Sequence, residues 1–175
     1  MKMNGIIRRV DNLGRVVIPR EFRKLHKISL GDPMEISCRD SGEIILKKVD
    51  MSLTLEELSA EAVKLLAAQL GGTVLVSNAE AFICGSGADK TCFVGAALPE
   101  DITRSFFARK SMAVSEIPDK WKFDCGKKSL ICEPIIGQSD VFGGLFLIRS
   151  GEADAKDAAM LKITAAILGN GLQKY

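Results

Sequence analysis

Cationic side chains crowd one end of this sequence. Lys2, Arg8, Arg9, Arg15, Arg20, Arg23, Lys24 and Lys27 fall within the first 30 residues against only Asp11 and Glu21, a local balance of +6. Residues 31–50 and residues 51–175 carry −2 each, so the overall +2 conceals a basic end on a mildly acidic chain. Such a segment suits a phosphate backbone, because each neutralised phosphate releases condensed counterions. A solvated charged face is the competing explanation for charge alone. Spacing adds direction. Arg20, Arg23, Lys24 and Lys27 stand at i, i+3, i+4 and i+7, one stripe of a helix, with Phe22 and Leu25 on another side. Arg15 follows Gly14 at a turn, with Arg8 across the ribbon from it, so two guanidiniums can project together to clamp phosphates or read guanine edges. Asp11 and Glu21 suit the role of orienting partners.

Other chemistry finds little support. His26 is the only histidine, it lies beside Leu25, and no nucleophile–base pair accompanies it. The reading is therefore not an enzyme. Cys38, Cys84, Cys92, Cys125 and Cys132 form no Cys-x-x-Cys pair, which argues against structural zinc, any other metal site or a disulfide framework, and for reduced, mostly buried thiols. Cys125 is flanked by Lys122, Lys127 and Lys128, which would lower its pKa and open a redox role, against the inert alternative. Gly85-Ser86-Gly87 resembles a phosphate loop only superficially, lacking a following Lys-Ser/Thr, and is assigned to a turn.

The elements that position these residues follow from periodicity. Residues 5–10 and 16–18 read as strands of a hairpin around Asp11–Gly14, and Pro19 opens a helix through Lys27. Met34–Cys38 and Glu43–Lys48 alternate as two further strands, turning at Asp40-Ser41-Gly42. These 50 residues are near the lower limit for a self-sufficient core, so the segment calls for a partner chain. Thr54 and Glu57 form a capping-box pattern opening a helix with Leu55, Leu58, Ala62, Leu65 and Leu66 in a stripe, ending at Gly71-Gly72. Beyond it come strands at 73–78 and 81–87, a helix after Pro99 through Arg109, a loop from Pro118 to Lys128 and the strand pair 129–136 and 143–150. The last helix, from about Ala153 to Leu168, is apolar on both sides and asks for cover from its own sheet and from another subunit. The expectation is an α+β chain of three parts: 1–50, a connecting helix 51–72, and 73–175 as an antiparallel meander with helices. The sequence is 47% apolar, without the roughly 20-residue apolar stretch of a membrane span or a secretory leader, so a cytoplasmic protein without a membrane partner is expected.

The string GIIRRVDNLGRVVIPREFRKLHKISLGDPMEISCRDSGEIILKKVD, residues 5–50, resembles the DNA-binding domain of the AbrB family of bacterial transition-state regulators, with Gly-Arg-Val-Val-Ile-Pro as its core. That resemblance implies a swapped-hairpin β-barrel in which two chains interlace, and double-stranded DNA as the partner. The family's DNA-contacting arginines match Arg8, Arg15 and Arg23, and its next basic position matches Lys24, where lysine replaces a frequent arginine and favours a point-charge phosphate contact over a bidentate one. Arg9, Arg20 and Lys27 would be outer electrostatic contacts. The same barrel serves MazE-type antitoxins, but the 125 residues after Asp50 are too rich in core-forming side chains for their short disordered tail.

Instead, the layout resembles sporulation regulators with an AbrB-type domain joined by a helix to a GAF-like sensor domain. This implies a nucleoid-associated regulator of sporulation or another developmental transition, assembled as a dimer of dimers through GAF-like helices. No cofactor is implied with certainty, and an unknown small-molecule effector is left open. A ligand pocket is expected between the sheet and residues 82–125, walled by Phe82, Cys84, Phe106, Trp121, Phe123 and Cys132, with Ser86 or Thr91 as polar handles. Core packing is the alternative for each. The other reading of the second domain is one that only oligomerises the protein or binds a protein partner.

Overall fold

The computed structural model describes residues 5–137 and 140–173, and the chain divides into two compact units, Met1–Val49 and Asp50–Tyr175. The first unit contains one helix, α1 (Arg20–Leu25), and one antiparallel ribbon, β1 (Met34–Cys38) with β2 (Ile44–Lys48), in the register Met34↔Lys48 to Cys38↔Ile44. The expected hairpin of residues 5–18 is closed only at its tip, where Asp11 N donates to Arg15 O and Gly14 N to Asp11 O. Its arms are not strands. They hold apolar side chains with nothing to cover them: Ile7 is 94% exposed and Val17 72%. Among residues 5–49 only Pro19 is buried. A β-branched arm gains stability from a cross-strand neighbour, and the described residues of this unit supply none.

Helix α1 is shorter than its periodicity predicts. It stops at Leu25 because Lys27 turns left-handed, φ 50°. Ile28 N then reaches back to Arg23 O and Lys27 N to Lys24 O, the paired bonds of a Schellman ending. Lys27 is therefore off the helical stripe that its i+7 spacing implies.

In the second unit, α2 (Met51–Leu70) starts earlier than the Thr54/Glu57 pattern predicts. Asp50 is the stronger cap, its carboxylate accepting from Ser52 N and Leu53 N, and Thr54 Oγ1 only donates back to Asp50 O. The helix ends at Gly71, φ 66°. Its buried side is Leu55, Ser59, Val63, Leu66 and Leu70, while Leu58 and Leu65, expected on that side, are exposed.

Five antiparallel strands follow in the spatial order β4-β3-β7-β6-β5, not as a meander. They are β3 (Thr73–Ser77), β4 (Phe82–Ser86), β5 (Met112–Val114), β6 (Ser129–Ile136) and β7 (Val141–Arg149). The wholly buried β3, the long β7 and β6 lie inside the sheet, and β4 and the three-residue β5 form its edges. This order buries the most apolar backbone and leaves little open edge. Gly85 and Ser86, expected in a turn, end β4. A side chain at Gly85 would run into Leu75, so that glycine serves close approach to β3 rather than a phosphate.

Two short helices, α3 (Lys90–Phe93) and α4 (Glu100–Phe107), lie between β4 and β5, and α5 (Ala155–Leu172) closes the unit. Asp154 caps α5 in a reciprocal box with Asp157, and Arg149 Nη1 pairs with the buried Asp157 at 2.9 Å. One face of the sheet packs on α2 and α5 through Val74, Val76, Ile131, Leu145, Leu161 and Leu168. The other face carries Leu75, Phe82, Phe93, Ile102, Phe106, Phe146 and Ile148. Helix α5 buries Leu161, Ala165, Leu168 and Leu172 but leaves Ile163 62% and Ile167 64% exposed. Among the described residues, no helix is long and apolar enough to cross a membrane.

Candidate nucleic-acid interface

The turn before Arg15 is built by a single carboxylate. Asp11 Oδ1 accepts from Leu13 N and Arg15 N, each at 2.9 Å. Its Oδ2 accepts from Arg15 Nε at 2.7 Å. Gly14 supplies the left-handed residue, φ 75°, that lets the chain reverse. The Arg15 backbone and then its guanidinium hold the Asp11 carboxyl below its ordinary value. The Arg15 side chain is still 71% exposed. Only Nε is bound to Asp11, so the two terminal nitrogens are left to donate elsewhere.

Arg8, Arg9, Arg20, Arg23, Lys24 and Lys27 are all exposed. None forms an ion pair among the described residues. Arg20, Arg23 and Lys24 ride on α1, with Glu21 in its first turn. Two residues outside the expected set shape this end of the chain. Lys48 Nζ donates to Lys27 O at 2.8 Å and pairs with Asp32 Oδ2 at 2.7 Å. Asp32 Oδ2 also accepts from Ser29 N at 2.6 Å. Lys48 and then the Ser29 amide hold the Asp32 carboxyl low. No local pattern signals this long-range clip.

The residues expected around a ligand pocket do not share one wall. Phe82 sits edge-on to Phe93, Phe123 and Phe146, at centroid distances of 5.8, 5.8 and 4.9 Å. Phe106 meets Phe146 at 5.8 Å. These rings and the buried Cys132 belong to one packed cluster, so the space expected for a ligand holds side chains. Trp121 lies at its edge, where its indole N–H and Lys120 Nζ both reach Asp101. Cys84 belongs to the opposite cluster and contacts Ser59 Oγ at 3.3 Å. It lines a separate cleft of about 420 Å³ with Glu56, Ile83, Lys90 and Thr91. A cleft of about 460 Å³ lies between β5, β6 and the start of α5, with Glu133 and Ser111 in its wall.

The thiols divide by exposure. Cys38 and Cys92 are exposed, Cys84 is intermediate, and Cys125 and Cys132 are buried. Burial pushes the Cys125 thiol up, Lys128 only partly opposing it, so the lysine-activated thiol does not form. Cys132 is raised further by burial and Glu133. Lys128 is engaged with Asp89, which also accepts from Thr73 Oγ1 at 3.2 Å. Among the described residues, no cluster of His, Cys, Asp and Glu has the arrangement of a metal site.

Comparison with known proteins places both units. Residues 7–54 match the family described as antidote-toxin recognition MazE, bacterial antitoxin. Transition state regulatory protein AbrB of Bacillus subtilis strain 168 is 44% identical over 81 residues, 45% of this chain and 79% of that protein. The GAF-B domain of DevS from Mycobacterium smegmatis shares the fold of the second unit, with a TM-score of 0.55 at 18% identity over 71% of this chain and 94% of that one. An AbrB-type domain followed by a GAF-type fold defines a class of bacterial regulator. Stage V sporulation protein T of Bacillus subtilis strain 168 is 33% identical over 155 residues, 87% of each chain, and the present chain belongs to its family.

Proposed function

We propose that this protein is a sequence-specific DNA-binding transcription regulator of sporulation or a related developmental transition. The observation that carries the reading is the exposed basic end, in which Arg15 is tethered to Asp11 through Nε while its side chain stays 71% exposed. Arg8, Arg15, Arg23 and Lys24 contact double-stranded DNA, and Arg9, Arg20 and Lys27 add outer electrostatic contacts. The bare arms of residues 5–18 support an interlaced swapped-hairpin dimer, in which a second chain completes the barrel. Exposed Leu58, Leu65, Ile163 and Ile167 support a further pairing of subunits through α2 and α5 into a tetramer. The protein acts on the nucleoid and catalyses no reaction.

For the second unit, the packed ring cluster favours oligomerisation of the DNA-binding heads over binding a small molecule between sheet and loop. The test is fluorescence anisotropy of labelled duplex DNA against the full-length protein over a salt series. The reading requires affinity that falls linearly on logarithmic axes with salt, and a tighter complex with selected sequence than with random duplex. Equal affinity for both would reduce the protein to a non-specific DNA binder. No affinity would end the reading.

A further inference from the structure

We propose that Lys48 is a positioning residue of the DNA-binding head and not one of its phosphate contacts. The inference rests on the DNA-binding reading above. Charge alone would add Lys47 and Lys48 equally to the basic end and would make Asp32 a repulsive neighbour of DNA. Geometry separates them. Lys48 Nζ gives one proton to Lys27 O and another to Asp32 Oδ2, and the same oxygen of Asp32 holds Ser29 N. Two acceptors on residues 27–32 thus converge on one ammonium from β2, and the Asp32 carboxylate also fixes the Ser29 amide. The Lys48 and Asp32 side chains are 38% and 21% exposed, against 71% for Arg15. Lys47 makes neither bond and, one residue away along the strand, lies on the opposite face of the ribbon.

The residue whose carbonyl Lys48 grips is Lys27, the left-handed residue that terminates α1. A non-glycine residue keeps that conformation only where its surroundings hold it. Lys48 supplies part of that hold, so the direction of α1, and with it Arg23 and Lys24, depends on a residue 21 positions away. The contribution of Lys48 to DNA binding is orientation.

The test uses full-length protein and a duplex enriched by the wild-type protein from a random library, titrated from about 50 to about 200 mM salt. Lys48→Met and Asp32→Asn are each expected to weaken binding about tenfold with an unchanged salt slope, since no phosphate contact is lost. Lys48→Arg, which keeps a donor, should recover most of the affinity. Melting curves and native mass confirm that each variant folds and assembles, and Asp32→Asn keeps the test intact where Lys48→Met does not fold. A salt slope shallower by about 1 in Lys48→Met would identify a phosphate ligand and overturn the proposal. Tighter binding by Asp32→Asn would overturn it from the other side. A wild-type protein that binds no duplex would overturn the DNA-binding reading with it, whereas wild-type binding alongside unaffected variants would remove only the role of Lys48.

Discussion

Asp11 grips Arg15 twice, at its backbone amide through one carboxylate oxygen and at its guanidinium Nε through the other. Exposed ion pairs of this kind add little to stability. What this one supplies is restraint, because a side chain that would otherwise sample many rotamers is tethered at Nε with its terminal nitrogens left to donate. Asp11→Asn is therefore expected to bind DNA about tenfold more weakly, the scale of one charge-assisted hydrogen bond. A purely electrostatic account predicts the reverse, since a negative charge near DNA is removed. Anisotropy titration distinguishes the two signs, and Arg15→Ala in the same series should also flatten the salt slope by about 1.

The open sides of α2 and α5 predict an assembly defect without a folding defect. Leu65 and Ile167 are 63% and 64% exposed in the single chain, so glutamate at both positions meets water and leaves the core alone. On the proposed assembly, native mass spectrometry should show tetramers for the wild type and dimers for the double variant, with unchanged circular dichroism. Tetramers persisting in the double variant would place the second interface elsewhere.

Helix α5 offers a case where local propensity and packing disagree. Alanine normally exceeds glycine in a helix by about 1 kcal/mol, yet a methyl group on Gly169 would overlap the carbonyl of Ile136 at the end of β6. Overpacking of this kind costs about 1–3 kcal/mol. Gly169→Ala should lower the urea midpoint, and a raised midpoint would show that α5 can shift away from β6.

Much of this was legible because periodicity reports burial. The existence of α2, its Gly71 ending and the run Ser129–Ile136 follow from side-chain pattern alone, whereas the buried face of α2 includes Ser59 and Val63 and leaves out the expected Leu58 and Leu65. Strand β5 does not follow from it, since three residues between Ser111 and Ser115 are too few to show alternation. The early start of α2 was hidden by a convincing Thr54/Glu57 pattern, which Asp50 outcompetes by accepting two backbone amides. In the basic end, residue types and spacing pointed to Arg15, but Lys48 and Asp32 meet only after folding, and a single lysine in a strand carries no mark of its partner. The aromatic residues suit a pocket wall as well as a core, because rings serve both purposes. Only the distances between them show that they fill the space.

Titration should separate the carboxylate clip from other contacts. The Asp32 carboxyl is depressed below its ordinary value of about 3.8, so its stabilising contribution is present above that value and disappears as pH falls through the lower folded value. The urea midpoints of wild type and Asp32→Asn should then differ by a constant amount from about pH 6 to about pH 8, begin to converge below about pH 4 and meet only once pH is below the lowered folded value. A difference that grows across neutral pH would point to another titrating group.

The near-absence of buried side chains among residues 5–49 reaches beyond structure. In the proposed interlaced dimer, a segment whose single copy buries only Pro19 among residues 5–49 would acquire its interior from another copy, and its stability would follow mass action. Abundance then becomes an input to control. At low concentration the chain would lack a finished reading head, and as copies accumulate the heads would appear with the steepness of a pairing reaction, before any effector or promoter is considered.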